Sequence, residues 1–214
     1  MASENEKQMI SKKTKQLVRE GLWTNNPIFA QVLGICSTLA VTNLVLNTAV
    51  MCAGLIFTLS LSAMTVSILR NVTPRNIRMM VETLIIAFYV IIIDLVLKAY
   101  WPEMSTNLGP YVGLIITNCI VMGRCEACSI SNPPKIAFFD GLFNALGYSY
   151  ILLIIATFRE ILGMGTFLGY AVPYFSTVWD KWIIMVMPPG AFFMLAIVVW
   201  VFRSIKLAGE DKSK

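Results

Sequence analysis

The sequence lacks histidine entirely and carries few charged residues. Of its 214 residues, none is histidine, 14% are charged and 57% are hydrophobic. Soluble domains carry about 25% charged residues, so this composition excludes a soluble globular domain, a disordered chain and a nucleic-acid-binding protein. Without histidine, a metal site must use cysteine, aspartate or glutamate. The five cysteines in so apolar a chain do not indicate a disulfide framework.

The charges that are present lie mostly near the two ends of the chain. Eight of them fall within residues 1–21 and six within 203–214. The net charge of +5 therefore indicates how the chain is oriented in a membrane rather than a DNA-binding surface. We interpret 1–23 as a basic amphipathic tail on the cytoplasmic leaflet and 206–214 as a second cytoplasmic tail, on either side of a transmembrane domain at 24–205.

Six apolar segments predict an all-α integral membrane protein. They lie at about 27–42, 47–69, 77–101, 110–123, 139–162 and 183–205. A helix needs about 20 residues to cross the hydrocarbon core of a bilayer, and segments one and four are too short for that. We therefore expect these two segments to be short half-helices. Each ends in a polar or glycine break, Thr42-Asn43 for segment one and Gly123-Arg124 for segment four.

The segments form two groups of three, repeat one at 27–101 and repeat two at 110–205. Because three is odd, the second group must enter the membrane from the opposite side, which predicts an inverted-topology repeat. If all six segments cross the membrane from a cytoplasmic N-terminus, 14 lysine and arginine residues fall on the inner side and three on the outer side. Positive residues favour the cytoplasmic side, so both termini are expected in the cytoplasm.

The two short segments share one spacing between a proline and a cysteine. Cys36 follows Pro27 by nine residues, and Cys119 follows Pro110 by nine residues. If each proline begins a helix, these residues carry each sulfur about 13–14 Å into the membrane, close to half of the roughly 30 Å core. Since the two helices enter from opposite faces, both thiols are expected at the bilayer midplane.

Three interpretations of this thiol pair remain open. The thiols can be small buried side chains that only pack, they can form a disulfide, or they can be ligands of a soft metal site. A reducing cytoplasm disfavours the disulfide. An iron–sulfur cluster takes four ligands, so in the third interpretation a second protein has to supply the other two.

Other ionisable residues within the apolar segments are candidates for ion binding or for structural pairing. Glu82 and Asp94 are functional candidates because charged groups are costly inside a membrane. Each also has a basic residue four positions away on the same helix, Arg78 for Glu82 and Lys98 for Asp94, and such residues can pair. We favour the structural pairing for both, and we expect Arg159–Glu160 to form a pair at the outer membrane interface.

Several motifs identify the chain as similar to a known membrane family. They are Asn26-Pro27, LGICSTLAVT at 33–42, VLKAY at 96–100, GLIITNCIVMGR at 113–124, Asp140-Gly141, Gly147-Tyr148 and REILG at 159–163. Over about 25–205 they resemble the family that contains the D subunit of the Na+-translocating NADH:quinone oxidoreductase. The E subunit of the Rnf ferredoxin:NAD+ oxidoreductase is also similar, but its second motif tends to read Val-Asn-Cys where this chain has Thr117-Asn118-Cys119, which favours the quinone reductase.

The resemblance implies a function that the composition alone does not predict. In that family, the D and E subunits are paralogues of opposite orientation, and each contributes two cysteines to an intramembrane [2Fe–2S] cluster. Electrons pass from NADH on the F subunit through this centre to FMN on the C subunit, and then through the B subunit to quinone while Na+ is exported. The resemblance implies that Cys36 and Cys119 are the iron ligands here. It also implies that the A, B, C, E and F subunits are partners in the bacterial inner membrane, with no NADH or quinone site on this chain.

The chain departs from the family pattern at Cys125-x-x-Cys128, where the family usually has other residues. This spacing can belong to a redox-active or metal-binding dithiol, but a single such motif is weak evidence, and we interpret these residues and Cys52 as packing residues. Two other classes of function also stay open. They are a cofactor-free inverted-repeat transporter and a scaffold protein of a larger assembly.

Overall fold

The computed structural model describes residues 28, 33–130, 132–164, 166–167, 170–171 and 187–211. In chain order the helices of these ranges are α1 Ile35–Val41, α2 Val45–Leu69, α3 Arg78–Tyr100, α4 Pro102–Ile116, α5 Cys119–Arg124, α6 Pro134–Met164 and α7 Pro188–Asp211. A 3₁₀ turn, Arg75–Ile77, precedes α3, and a π-helical turn, Cys125–Ser129, continues α5. Strands β1 Thr166–Phe167 and β2 Tyr170–Ala171 pair antiparallel.

Five stretches of the described chain are long and apolar enough to cross a membrane. They are Val45–Leu69, Arg75–Tyr100, Gly109–Ser129, Pro134–Gly163 and Pro188–Ile205. The prediction of a helical, multi-pass membrane protein is therefore confirmed. The basic tail at 1–23 lies outside the described residues, and so does the start of predicted segment one, at 27 and 29–32. The sixth crossing and the inverted repeat therefore stay predictions. Helix α7 continues to Asp211, past the predicted start of the C-terminal tail at 206.

The centre of the molecule is the contact between α2 and α6, the most extensive contact between any two described elements. The buried face of α2 is rich in small and hydroxyl-bearing residues, which let two membrane helices approach closely. A methyl group at Gly141 on α6 would lie only 3.0 Å from the Leu59 carbonyl oxygen of α2. Some hydroxyls of this face donate to carbonyls of the same helix, as where Ser60 donates to the Ile56 carbonyl at 2.7 Å.

The remaining helices pack around this pair. Helix α3 contacts α2 and α4, while α7 contacts α1 and α6. Large apolar side chains of α3 such as Leu84, Phe88 and Leu95 are exposed on its outer face. An exposed apolar face is expected for a helix that meets lipid or another membrane protein.

The prediction that Pro110 begins a short helix is wrong. Pro110 lies inside α4, which starts eight residues earlier with Pro102 in its first turn. Proline is favoured at that first position because its missing N–H would have no partner there anyway, and an internal proline is tolerated in membrane helices. Segment four is therefore two half-helices, α4 and α5, rather than the single short one predicted at 110–123. Pro27 lies outside the described residues.

Candidate functional site

Cys36 lies in the first turn of α1, directly after the non-helical residues Leu33 and Gly34, which we call the first break. Gly34 precedes the helix with φ +84°, a left-handed conformation that residues with a side chain rarely adopt. The Gly34 carbonyl oxygen accepts hydrogen bonds from the hydroxyls of Ser37 at 3.1 Å and Thr38 at 3.0 Å. The Cys36 side chain is exposed and its thiol is free. The break thus fixes the backbone beside a thiol that faces outward.

Cys119 occupies the equivalent position after the second break. Helix α4 ends at Ile116, and α5 begins at Cys119 with Asn118 as its N-cap. The Asn118 side-chain oxygen accepts a hydrogen bond from the Ile120 N–H at 3.2 Å, which satisfies one of the donors that a helix start leaves free. Cys119 is also exposed and free. Both thiols are therefore presented by the first turn of a half-helix.

Hydrogen bonds join the residues that flank the two cysteines. The amide of Asn118, next to Cys119, donates to the hydroxyl of Ser37, next to Cys36, at 3.4 Å. Tyr148 of α6 is fully buried, and its hydroxyl contacts that of Ser37. The Tyr148 hydroxyl also donates to the Gly34 carbonyl at 2.9 Å. The non-helical breaks before α1 and α5 therefore meet at one buried polar cluster, formed by Gly34, Ser37, Asn118 and Tyr148.

The corrected helix start changes the argument about depth. The distance of nine residues from Pro110 to Cys119 no longer measures a helix entering from the membrane surface, because α4 begins at Pro102. The two cysteines instead share their position at a helix start, since each is the first or second residue of a helix that follows a non-helical break. Their equal depth in the bilayer stays a prediction, and the hydrogen bond between their neighbours Ser37 and Asn118 brings the two breaks together.

The predicted pairs on α3 divide into one that is confirmed and one that is wrong. Lys98 Nζ lies 2.6 Å from Asp94 Oδ2, as predicted. Arg78 instead pairs with Glu126 beyond α5, at 2.6 Å. Glu82 is buried, with one carboxylate oxygen that has no hydrogen-bond partner. Spacing along one helix could not reveal this outcome, because the competing carboxylate comes from another element.

Arg159 and Glu160 are fully buried, and their expected pairing at the outer membrane interface stays a prediction. Arg159 donates to the Thr42 hydroxyl and, at 3.4 Å, to the Met187 carbonyl. Glu160 accepts a hydrogen bond from the Val45 N–H at 2.7 Å. These two residues of α6 therefore hold the chain where α1 ends and α2 begins.

The other three cysteines are less exposed than Cys36 and Cys119. Cys52 and Cys125 are buried, and the Cys125 sulfur lies 3.8 Å from the Ser62 hydroxyl. The partly buried Cys128 sulfur lies 3.2 Å from the Asn132 amide nitrogen. Among the described residues, no group of three or more cysteine, aspartate or glutamate side chains is placed to hold a metal ion. Any metal site built on the exposed thiols would therefore need ligands from elsewhere.

Sequence reasoning singled out both cysteines, whose role as ligands stays a prediction, but it assigned no contacts to Ser37 and Tyr148. One signal was present, since a tyrosine in the middle of an apolar helix needs a partner for its hydroxyl. The sequence could not name that partner, because Gly34 and Ser37 are more than 100 positions away from Tyr148.

Comparison with known proteins agrees with this architecture. Residues 14–199 match a family described as "Rnf-Nqr subunit, membrane protein". A protein of Tolumonas auensis, named as the D subunit of the Na(+)-translocating NADH-quinone reductase, is 42% identical over 205 residues, which cover 94% of each chain. Proteins of the same name from Pseudomonas aeruginosa (43%, covering 90% of this chain and 87% of the relative) and Shewanella halifaxensis (42%, 92% and 95%) are also similar. With a family match over most of its length and relatives above 40% identity, the chain belongs to the Rnf-Nqr family of membrane subunits.

Proposed function

We propose that this chain is the D-type membrane subunit of a Na+-translocating NADH:quinone reductase, and that it supplies Cys36 and Cys119 to an intramembrane [2Fe–2S] centre shared with the paralogous E subunit. The observation that carries the proposal is the pair of free, exposed thiols at two helix starts whose neighbouring residues are hydrogen-bonded to each other. Relatives named as the D subunit of that enzyme give the complex in which such a pair would act.

The residues present fit half of such a centre. A cluster of this type takes four ligands, usually cysteine thiolates, and the chain offers two outward-facing thiols with no third ligand beside them among the described residues. When bound, the centre would accept and release single electrons within the membrane. The task of this chain is to hold the backbone of both thiols still while their sulfurs stay open to a second protein.

The contacts between helices support the predicted inverted repeat. Helices α2 and α6 are the central elements of repeat one and repeat two, and they form the largest contact. The third helix of each repeat packs against the broken segment of the other, α3 against α4 and α7 against α1. A pseudo-twofold axis in the membrane plane produces such an exchange, and it would also relate Cys36 to Cys119.

The remaining parts of the proposal concern the complex. The F subunit would oxidise NADH on the cytoplasmic side, the C and B subunits would carry the electrons on to quinone, and the A subunit would complete the assembly that exports Na+. This chain would act only in the transfer of electrons from the F subunit to the C subunit. Its thiols then have to lie within reach of a neighbouring protein, which agrees with the exposure of both cysteines.

The test is to replace each cysteine by serine in the complete complex. Cys36→Ser and Cys119→Ser should each remove the iron of the shared centre and its EPR signal, and quinone reduction by NADH should fall to background. Cys52→Ser is the matched control, because Cys52 is buried on α2 and should leave the iron content and the activity unchanged.

Two results would contradict this proposal. Full iron content and turnover in the Cys36→Ser and Cys119→Ser complexes would show that the thiols are packing residues of a scaffold. Sodium transport that continues in a chain without any cysteine would instead favour a cofactor-free transporter.

A further inference from the structure

Four polar groups lie behind the two exposed cysteines, and one residue joins them. Tyr148 is fully buried in α6, and its hydroxyl contacts both the Ser37 hydroxyl and the Gly34 carbonyl. Ser37 in turn accepts the hydrogen bond from Asn118. Thus a single side chain of α6 is connected to both breaks, although it belongs to neither of them.

The Tyr148 ring is also packed tightly against the first break. A methyl group added at Gly34 would lie 2.6 Å from the Tyr148 ring and from its hydroxyl oxygen. Gly34 can therefore adopt its left-handed conformation with the ring pressed against its α-carbon only because it has no side chain. The ring limits the movement of the Gly34 backbone, which leads into Cys36. The hydroxyl fixes the direction of the Gly34 carbonyl group by donating a hydrogen bond to it.

We propose that Tyr148 is a positioning residue that sets the placement of Cys36 relative to Cys119 through Ser37 and Asn118. This inference rests on the proposed function for its biological meaning, but the placement of the thiols can be measured without the enzyme activity. Tyr148 does not touch either thiol in the described contacts, so it acts through the two neighbouring residues. A buried hydrogen bond in a membrane interior is a strong constraint, because water cannot replace it.

The experiment uses the complete complex with Tyr148→Phe, which keeps the ring and removes only the hydroxyl. Tyr150→Phe is the matched control, since Tyr150 lies two residues along the same helix and is exposed. Three quantities are measured. They are the iron content per complex, the EPR spectrum of the reduced complex, and the rates at which iodoacetamide labels Cys36 and Cys119 after iron is removed, determined by mass spectrometry.

We expect Tyr148→Phe to keep its iron but to change the position or width of the EPR signal. The labelling rate of both cysteines should change together by about fivefold, the factor that corresponds to loss of one typical buried hydrogen bond. Tyr150→Phe should leave all three quantities as in the unaltered complex.

A general loss of stability is separated from positioning by a second variant. Ser37→Ala removes the group through which Tyr148 reaches Asn118, so the spectrum and labelling of Ser37→Ala and of the double variant should equal those of Tyr148→Phe. Effects that simply add in the double variant would overturn the inference, as would a Tyr148→Phe complex that is identical to the control. If Tyr148→Phe does not assemble, Ser37→Ala alone decides, because a positioning role requires it to alter the spectrum and both labelling rates.

The proposed function and this inference fail in different ways. If the unaltered complex binds no iron that depends on Cys36, the proposed function is wrong, and the labelling rates still decide whether Tyr148 places the two thiols. If the iron depends on both cysteines but neither the spectrum nor the labelling responds to Tyr148→Phe, only the positioning inference is wrong.

Discussion

At the scale of single residues, Gly34 is a position where two separate constraints act against any side chain. Its φ of +84° costs a residue with a side chain about 1–2 kcal/mol, and the Tyr148 ring occupies the space where a side chain would begin. The two constraints have the same origin, since the chain must turn sharply beside a ring that is fully buried. Gly34 is therefore required by the geometry of the break rather than by flexibility.

Gly34→Ala should lower the free energy of unfolding by at least about 2 kcal/mol, because backbone strain adds to the clash with Tyr148. Gly113→Ala is the matched control. Gly113 lies within α4, no atom would contact the added methyl group, and alanine is the better helix former, so that variant should be neutral or slightly more stable. Thermal unfolding of the purified complexes measures the stability of both variants. Equal stability of the two variants would show that the left-handed turn is not maintained in the protein.

At the scale of elements, hydrogen bonds from side chains stabilise the breaks between helices, some of them local and some from another helix. At the second break, the Asn118 side chain caps α5. Between α1 and α2, the Thr48 hydroxyl donates to the Val41 carbonyl at 3.0 Å, and Glu160 accepts from the Val45 N–H at 2.7 Å. An unpaired backbone group within a membrane costs several kcal/mol, so these bonds make irregular backbone tolerable there.

Glu160→Ala should destabilise the start of α2 by about 1–3 kcal/mol, because the buried Val45 N–H loses its acceptor. The amides at the start of α2 should then exchange with deuterium faster than in the unaltered protein, as measured by hydrogen exchange with mass spectrometry. Glu103→Ala serves for comparison, since Glu103 is exposed in the first turn of α4. Unchanged exchange at the start of α2 would mean that Glu160 does not stabilise the helix end.

At the scale of the whole molecule, the distribution of positive charge gives a prediction of orientation. An arrangement with 14 lysine and arginine residues on the inner side and three on the outer side favours cytoplasmic termini. A fluorescent protein fused to the C-terminus should therefore be fluorescent, and alkaline phosphatase at that site should be inactive. Alkaline phosphatase fused after residue 172 should be active. The reverse pattern of activities would show that the protein has the opposite orientation.

Composition and local pattern were enough to predict several features correctly. The scarcity of charge and the long apolar segments predicted a helical membrane protein, since only a helix satisfies its own backbone in lipid over such lengths. The pairing of Asp94 with Lys98 was also predictable, because both partners lie on one helix at a spacing of four. The helix end at Thr42-Asn43 followed from polar residues that interrupt an apolar segment. The break predicted at Gly123-Arg124 is wrong, because α5 continues there into the π-helical turn Cys125–Ser129.

Other features depend on which helices become neighbours, and no local pattern contains that information. Arg78 pairs with Glu126 and not with Glu82 because α3 packs beside α5. Pro110 lies inside a helix because Pro102 provides an earlier start. The sequence by itself determined the membrane environment and most of the helices, since these follow from hydropathy, while its resemblance to a known family singled out the two candidate ligands. Only the tertiary structure decided that Tyr148 and Ser37 lie between the two breaks, because their contacts join residues that are separated by more than 100 positions in the chain.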